Sequence, residues 1–533
     1  QPQALRLTKL TKKASEQLVD AVVEGLRRDG RTAPPARVTS AIVERADGNA
    51  FFLEEMLRAA IESPSAALPD TVIAMLQARL ASLDAEARRV LRAASVFGVR
   101  FWGGAVGHLL GRADAPDATL EHLAEQELIE LVDERDVPSE WTWRFRQELV
   151  REAAYTMLTD EDRRLGHQLA SQWLIEQGIA DPLSLAGHHS AAGDLGLAAG
   201  ALALAAEQAL EACDNDAALR HAQRGLELAA RASEATGAGE AGGAVRGRLL
   251  LVVAEAQRWR GAYAAARGPA EEALGLLTEG DEAYFRALGC GIVAAGQTGE
   301  ASALEQSLAT LVATPPNDPA AAQLKLIALC RGAHQRLGQR RLQDADALLS
   351  RAQTLARTLD EEGAVVAAWI HTTLAARAHF AGDWVAYVSG TERAVHAYDR
   401  ARDLRHACNQ RVRWGYGLIE MGAFEPAVDV LRRAVDESAA LGVPLVEGYA
   451  LQNLGLAYAR LGQLPLAHAT LRNAEALGAA NQHGSVVAGA CYYLVDVLLA
   501  LLEPDQARSC AELAATTFAP SRFHHSLAVA AQA

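Results

Sequence analysis

Three glycines recur at a fixed interval in the C-terminal half of the chain. They are Gly382, Gly422 and Gly462, and their separations are equal, since 422 − 382 = 40 and 462 − 422 = 40. The last two are each followed by the same spacing of small and large residues: Ala427, Leu431 and Ala434, and then Ala467, Leu471 and Ala474. A period of this length predicts a helical solenoid rather than one closed core.

One repeat of this pattern reads as two helices that meet at a glycine. Leu451, Leu454, Gly455 and Tyr458 lie at i, i+3, i+4 and i+7, which places them on one helical face. Gly462 then ends this helix, and a second helix carries the small and large residues that follow it. Because Gly455 lacks bulk, the two helices can approach closely. One pair cannot bury its apolar face alone, so successive pairs are expected to stack.

The phase continues in weaker form on both sides of the three glycines. Forward, 467 + 40 = 507 places Ala507 in an apolar helix predicted over 495–513. Backward, weaker repeats centre on Leu349 and Ala352, on Gly261, Ala266 and Ala273, on Gly193 and Ala198, and near Ala222 and Leu308. A helical-repeat superhelix is therefore predicted over about 183–518. The alternative, a generic α-helical bundle, has no reason to hold phase.

The pattern of small and large positions resembles the tetratricopeptide repeat, although the unit here exceeds that family's usual length of about 34 residues. Such longer units resemble those of bacterial signalling ATPases. The predicted fold class is thus mainly α, with a tetratricopeptide-like α-solenoid at 183–518. A small ATPase C-terminal segment at 1–80, a winged-helix domain at 81–158 and a connecting helix at 159–182 are predicted before it, and a tail at 519–533 after it.

Length and composition narrow the class of protein. A chain of 533 residues is too long for one ordinary core. The net charge of −15 argues against a nucleic-acid-binding surface. No apolar run is long enough to span a bilayer and no signal peptide opens the chain, so no membrane association is expected.

Cysteine and histidine spacing predicts no metal site. The six cysteines lie far apart without a CxxC pair, and they are expected to be buried thiols in a reducing cytoplasm. The adjacent pairs His188-His189 and His524-His525 are expected in loops or at the surface rather than as metal ligands.

No catalytic residue is predicted in this chain. A Walker P-loop needs a lysine after a glycine-rich turn, but the lysines stand only at Lys9, Lys12, Lys13 and Lys325, and none follows a glycine. The kinase tripeptides His-Arg-Asp and Asp-Phe-Gly do not occur, and neither does HExxH or GxSxG.

The N-terminal region carries a resemblance to a known family. Residues Ile42 to Ile61 are predicted to form one helix that Gly48 interrupts near its start. The string IVERADGNAFFLEE at 42–55 resembles the segment around the glycine–x–proline turn of STAND-type signalling ATPases, where that turn closes the nucleotide pocket. The resemblance makes Gly48, Asn49 and Ala50 a degenerate nucleotide-binding turn, because Ala50 replaces the proline that packs on adenine in the family.

Further strings extend the same resemblance. LPDTV at 68–72, QARL at 77–80 and LDAEARRVL at 83–91 resemble the region just beyond the family's nucleotide domain. Because the chain begins at Gln1 rather than Met, it is expected to be part of a longer protein. No cofactor is expected in this chain, and ATP with magnesium is expected only in an upstream domain.

Residues 81–158 are predicted to form a winged helix. Three helices, over 85–96, 102–110 and 118–126, precede two β-prone runs at 128–132 and 141–145, which a loop over 133–140 joins. Asp117, Glu121 and Glu125 are expected to face out from the third helix, and no Lys or Arg lies between Asp117 and Gln126. Since a recognition helix must neutralise phosphates, direct DNA binding is not expected.

The resemblance implies a regulatory function. FRQELVREAAY at 145–155 resembles the helix that joins winged helix to repeats in these ATPases, and LTDEDR at 158–163, with Gly166 and His167, resembles the versions fused to Ser/Thr protein kinases. The implied function is a sensor region that binds a protein or small effector through its repeats and relays the change to upstream domains. The alternative is the sensor region of an ATPase-type transcription activator.

The effector site is expected on the first helix of each pair, which lines the groove in tetratricopeptide-like stacks. Aromatic rings flanked by polar groups suit a peptide-binding surface. Numbering each repeat from its helix-ending glycine gives the groove residues Trp369, Thr372, His379, Phe380, Asn409, Val412, Tyr416, Glu420, Tyr449, Gln452 and Arg460. For Trp369 and Phe380, packing between neighbouring repeats is the alternative.

Overall fold

The computed structural model describes residues 9–62, 72–132, 140–179, 181–236, 242–359 and 363–518. The chain divides into two compact units, Gln1–Ala198 and Ala199–Ala533. Over the described residues the protein is mainly α, with one small antiparallel sheet in the first unit and a tetratricopeptide-like α-solenoid in the second. The predicted tail at 519–533 and the pair His524-His525 lie outside the described residues.

The first unit contains ten helices and three strands among its described residues. In chain order they are α1 (Lys12–Arg28), α2 (Ala36–Ala46), α3 (Ala50–Glu62), α4 (Val72–Ser82), α5 (Ala85–Ser95), β1 (Arg100–Trp102), α6 (Gly103–Leu109), α7 (Asp117–Glu125), β2 (Ile129–Val132), β3 (Thr142–Phe145), α8 (Glu148–Thr156), α9 (Asp160–Glu176) and α10 (Pro182–Ala192). One apolar core joins α1 to α4, and a second joins α4 to α8 and the sheet.

The helix predicted over 42–61 is two helices. Asp47 and Gly48 both adopt left-handed backbone angles, with φ of 43° and 75°, and this ends α2. Asn49 then starts α3, because its side-chain Oδ1 accepts a hydrogen bond from the Phe52 N–H at 3.1 Å. The interruption predicted at Gly48 is confirmed, and it is a complete helix end, because two consecutive left-handed residues cannot continue a right-handed helix.

The sheet contains one more strand than predicted. β3 is central and pairs antiparallel with β1 on one side and β2 on the other. The short β1 carries too little alternation to be recognised in the sequence. Apart from β1, the order of three helices followed by two strands agrees with the predicted arrangement, and the winged-helix assignment itself stays a prediction. Residues 133–139 of the predicted wing loop lie outside the described residues.

His188 and His189 are buried on α10, which corrects the expectation that they lie in a loop or at the surface. The His188 and His167 rings are joined by a 2.9 Å hydrogen bond between their Nδ1 atoms, and Tyr155 Oη lies 2.9 Å from the other ring nitrogen of His167. Burial lowers the pKa of both His167 and His188 to about 4. Packing of α10 against α9 buries these rings, and sequence periodicity could not reveal that contact.

The second unit is a run of antiparallel helices. They are α11 (Leu195–Glu211), whose first turn precedes the unit boundary, α12 (Asn215–Thr236), α13 (Gly243–Trp259), α14 (Tyr263–Leu274), α15 (Glu282–Thr298), α16 (Ala301–Ala313), α17 (Pro319–Gly338), α18 (Leu342–Ala356), α19 (Ala364–Ala381), α20 (Trp384–Arg400), α21 (Leu404–Glu420), α22 (Phe424–Ala440), α23 (Pro444–Arg460), α24 (Leu464–Ala480), α25 (Gly484–Ala500) and α26 (Pro504–Phe518). Most helices pack on the next along the chain, and first helices of neighbouring pairs also pack on each other, such as α15 on α17 and α23 on α25. The single helix predicted over 495–513 is a pair, α25 and α26.

A left-handed residue follows each helix from α19 to α25 at a constant spacing. These residues are Gly382, Arg402, Gly422, Gly442, Gly462, Gln482 and Leu502. At Gly462, for example, the N–H donates to the carbonyl of Ala459, and the next N–H, of Gln463, donates to the carbonyl of Tyr458. This is the Schellman pattern that satisfies the last carbonyls of a helix. The period of the three glycines is therefore one pair of equal helices.

The glycines inside the first helices permit close packing, as predicted. A Cβ built on Gly455 would lie 2.5 Å from Leu471 Cγ, and Leu471 is fully buried. One repeat earlier, Gly415 faces Leu431 in the same manner. In the last pair the large residue lies on the first helix and the small residue on the second. The corresponding positions are Val495 on α25 and Ala511 on α26, and both are buried in the same core. Each of these three pairs thus holds one large and one small residue at its point of contact.

We expect Gly455→Ala to destabilise the solenoid. The added methyl overlaps the buried Leu471 side chain, so overpacking should cost about 1–3 kcal/mol. The matched control is Gly200→Ala in α11, where a Cβ meets nothing within 4 Å, and where replacing a helical glycine should stabilise by up to about 1 kcal/mol. Thermal unfolding measures both. Equal melting temperatures for the two variants would contradict the packing described.

Candidate ligand-binding cavity in the helical repeats

The first helices of successive pairs surround a cavity of about 290 Å³, here called the central cavity. Its walls come from α13, α15, α17, α19 and α21, with Tyr398 added from α20. The lining segments are far apart in sequence, since 413 − 258 = 155 separates the arginines at its two ends. First helices thus line a concave surface, as expected, and their role in binding stays a prediction.

Aromatic rings form one wall of the central cavity. The ring of His406 lies 4.9 Å from Trp259 and 5.2 Å from Trp369, measured between centroids, and it stacks on Tyr398 at 5.3 Å. Trp369 and Tyr398 are also buried members of the apolar core of α15 to α21. The wall is therefore held by the same packing that holds the helices together.

Arginines cover the faces of the two tryptophans. The guanidinium carbons of Arg258 and Arg405 lie 4.5 and 4.4 Å from the Trp259 ring centre, and that of Arg331 lies 5.3 Å from the Trp369 ring centre. Such cation–π contacts favour the charged form. The pKa of Arg331 is nevertheless lowered to about 10, first by burial and then by the neighbouring charge of Arg258. It remains cationic at neutral pH.

The acidic side chains near the central cavity have hydrogen-bond partners within the protein. Glu255 receives two hydrogen bonds from Arg286, at 3.3 and 2.5 Å, and Asp403 lies 2.7 Å from His406 Nδ1. Burial raises the pKa of both carboxyls, but their hydrogen bonds and the charges of neighbouring groups outweigh it, and the net pKa is lowered. Among the described residues, no carboxylate lies within ion-pair distance of Arg258, Arg331 or Arg413.

Long-range contacts close the helical run around the central cavity. Arg405, on α21, is buried and donates to the Leu210 carbonyl at 3.3 Å and to Cys213 Sγ at 3.2 Å, at the end of α11. A second cavity of about 1040 Å³ lies among the helix-connecting loops at 212–216, 260–263, 440–445 and 481–485. Loops from distant repeats therefore meet in this unit.

The predicted groove residues lie in several different environments. Trp369, Thr372, Phe380 and Asn409 line the central cavity, and Tyr449 lines the second cavity, where its hydroxyl lies 2.9 Å from Ser485 Oγ. His379 and Tyr416 pack with Trp384 and Tyr387, and Val412 is buried in the core. Glu420 and Arg460 are exposed, and Gln452 packs against Gly489.

Tyr416 is less free than a groove position would be. Its ring centre lies 6.0 Å from Trp384, and burial, followed by the charge of Glu420, raises the pKa of its hydroxyl. Trp369 both packs in the core between neighbouring repeats and lines the central cavity, so it agrees with both alternatives given for it. The assignment of these residues to effector binding stays a prediction.

Sequence reasoning missed the cationic residues, although a signal existed. Gly261 ends α13 with the hydrogen bonds that Gly382 makes after α19. Since 382 − 261 = 121, Arg258 and Trp259 hold the positions of His379 and Phe380 in the repeat. Arg331 and Arg413 both lie at the same distance before a left-handed residue, since 340 − 331 = 9 and 422 − 413 = 9. The position of Arg331 in the repeat could not be recognised in the sequence, because the left-handed residue that follows α17 is Arg340 and not a glycine.

The Gly48 turn has a structural partner within the first unit. The Leu10 N–H donates to the Gly48 carbonyl at 2.8 Å, and a Cβ on Gly48 would overlap the Leu10 carbonyl oxygen. Lys9 pairs with Asp47 at 2.6 Å, with both side chains exposed. Asn49 and Ala50 are exposed. The role of Gly48, Asn49 and Ala50 in nucleotide binding stays a prediction.

Two observations concern metals and membranes. Within the described ranges, no three His, Cys, Asp or Glu side chains are grouped as metal ligands would be. The cysteines are free thiols, five of them buried and Cys213 partly exposed. None of the described helices has the length and apolar character that crossing a bilayer requires.

We expect His334 to make the protein sensitive to acid. Burial, and then the charge of Arg413, lower its pKa to about 3, below the usual 6.5. Between these values the unfolded chain binds more protons, so the free energy of unfolding should fall as pH decreases, by at most about 1.4 kcal/mol per pH unit. Denaturant unfolding of His334→Gln at neutral and mildly acidic pH should show a smaller fall than the parent protein. The exposed His396→Gln is the control, and equal falls in all three proteins would contradict the expectation.

Comparison with known proteins finds likeness only at the level of solved structures. No protein-family model matches the chain, and no curated protein matches it. A Signal Transduction ATPase with Numerous Domains from Pyrococcus horikoshii, with a tetratricopeptide repeat sensor, aligns over 98% of this chain and 72% of its own, with TM-score 0.48 and 12% identity. Yeast Tom70 aligns over 98% and 92%, with TM-score 0.40 and 13% identity. NprR in complex with its cognate peptide NprX aligns over 51% and 81%, with TM-score 0.36 and 16% identity. Likeness of this size does not establish a shared function.

Proposed function

We propose that this chain is the sensor region of a multidomain bacterial signalling protein, and that its helical repeats bind a protein or small-molecule effector. The observation that supports this proposal best is the central cavity. It lies among the first helices of five successive pairs, and it combines aromatic rings with polar and charged groups. Concave sites of this composition are the usual binding sites of proteins.

The first unit supplies the relay in this proposal. Its sequence resembles the end of a STAND-type ATPase module followed by a winged helix, and ATP with magnesium would belong to an upstream domain. The string at 158–163, which resembles kinase-linked versions, also has a local structural role. Thr159 and Asp162 form a capping box at the start of α9. The link to a Ser/Thr kinase rests on that resemblance alone. A cytoplasmic location is part of the proposal.

The proposal assigns no catalytic role to this chain. Its sequence lacks the P-loop lysine, the kinase tripeptides and the hydrolase motifs that such chemistry needs. Binding energy at the repeats would instead change the relative stability of conformations of the longer protein.

We expect Asn409→Ala combined with Tyr449→Ala to weaken effector binding at least tenfold while leaving the melting temperature nearly unchanged. Both side chains are half-buried at the same repeat position, 449 − 409 = 40, and Tyr449 packs only on the edge of a buried core. A panel of peptides and small metabolites is screened by the shift in melting temperature, and the affinity of each binder is then measured by calorimetry.

The control for this screen is Leu466→Ala, at a half-exposed side chain on α24. Hydrogen exchange of residues 81–182 with and without the binder tests the relay. If the double variant binds the effector as tightly as the parent protein, the assignment of binding to the groove residues of the first helices is refuted. Unchanged exchange across 81–182 would refute the relay.

The runner-up is the sensor region of an ATPase-type transcription activator whose DNA reader lies outside this chain, and in either case this chain itself should not bind DNA. Asp117, Glu121 and Glu125 are exposed on α7, so phosphate groups should be repelled. We expect no gel shift with duplex DNA at low salt, where electrostatic binding is strongest. A salt-sensitive complex that is lost on changing Thr119 and Glu121 would overturn this expectation.

A further inference from the structure

We propose that the central cavity binds the phosphate group of a small phosphorylated molecule. This inference rests on the proposed sensor function, because it names the chemistry of the effector that the same surface would bind. It is carried by the charge of the cavity, by buried donors without acceptors, and by the volume available.

The charge argument begins with three cations from three helices. Arg258, Arg331 and Arg413 line the cavity, and no described carboxylate pairs with any of them. The other groups that face the cavity, such as Gln297, Gln335 and Asn409, are neutral amides, and burial lowers the pKa of both His334 and His406. The nearest acids, Glu255 and Asp403, are occupied by Arg286 and His406. The cavity therefore has an excess of positive charge, which the carboxylate of Glu255 offsets only in part.

Buried donors at the cavity lack acceptors. Nε of Arg258 and Nε of Arg331 are each buried without a hydrogen-bond partner. An unsatisfied buried donor is costly, and a charged donor most of all. Two such cations beside one cavity favour an anion in it, because the charge of the anion offsets the cost of burying them.

A phosphate group fits these donors better than a carboxylate. A phosphate monoester carries a charge of about −1.5 to −2 at neutral pH and three strong acceptor oxygens, whereas a carboxylate carries one charge and two oxygens. Three arginines match the former. The volume of about 290 Å³ lies at the small end of the range for ligand sites. The remainder of the ligand would contact the apolar side of the cavity at Ala376 and the exposed ring of Phe380.

Calorimetric titration of the full chain with phenyl phosphate, inorganic phosphate and benzoate tests the proposal. Phenyl phosphate should bind most tightly, because it alone combines the dianion with an apolar body. Arg331→Gln and Arg413→Gln should each weaken its binding by about tenfold to a hundredfold, as the loss of a charged hydrogen bond implies. Arg433→Gln, at an exposed arginine on α22, should leave its affinity unchanged.

Arg331 packs on the buried core residue Trp369, so replacing Arg331 can disturb folding. Arg413 is exposed on one side and provides the variant that keeps the fold. The absence of binding by both phosphates, tighter binding of benzoate, or affinity that neither arginine variant changes would overturn the proposal. If both phosphates fail while another effector still loses affinity in the Asn409→Ala and Tyr449→Ala variant, the phosphate inference is wrong and the sensor proposal stands. If phosphate binds as expected without altering exchange across 81–182, the site is confirmed and the relay is refuted.

Discussion

The left-handed helix end, repeated at constant spacing from Gly382 to Leu502, is the constraint on which the C-terminal solenoid depends. Each such residue turns the chain at the same point, so every helix from α20 to α25 has 17 residues. Arg402, Gln482 and Leu502 adopt this conformation without being glycine, at a cost of about 1–2 kcal/mol each. Two backbone hydrogen bonds at each end, such as those from Leu502 and Glu503, offset that cost. Equal helix lengths then keep the small and large contact positions in register.

The left-handed helix ends can be predicted from the sequence where the residue is glycine, and not where it is another residue type. Glycines at 382, 422 and 462 gave the period, and Gly415 and Gly455 meet Leu431 and Leu471 as the pattern of small and large residues required. Arg340, Arg402, Gln482 and Leu502 are chemically ordinary residues, and only the backbone shows their role. The first helices were identified correctly as the lining of the cavity in the clear repeats. The cationic residues Arg258 and Arg331 belong to weaker repeats, and in sequence a charged residue is more readily interpreted as part of a solvated face.

The charge of the central cavity is opposite to that of the chain. A net charge of −15 makes the protein as a whole repel anions, yet Arg258, Arg331 and Arg413 converge on one site. Burying cations is costly unless each finds compensation. Arg286 pairs with Glu255, and the buried Arg411 pairs with both Asp399 and Glu437, so carboxylates compensate these two arginines. The three cavity arginines contact aromatic rings or an amide in place of a carboxylate. Arg258 lies over the Trp259 ring and Arg331 over the Trp369 ring. Arg413 donates a hydrogen bond to the Asn409 side chain at 3.4 Å. The contrast distinguishes a structural ion pair from a cationic site that remains available to a ligand.

Stacking of neighbouring helices alone does not create the central cavity. In a repeat array each pair contacts its neighbours, so the local contacts leave the relation between distant pairs free. Arg405 removes that freedom, because it joins α21 to the end of α11 through the Leu210 carbonyl, a contact between helices far apart in the chain. The same arginine also lies over the Trp259 ring, and the next residue, His406, contacts Trp259 and Trp369. One turn of α21 therefore carries both the closing contact and the aromatic wall. Any ligand that binds more tightly to the closed arrangement must stabilise the Arg405 contact by the same free energy, since the two equilibria are linked.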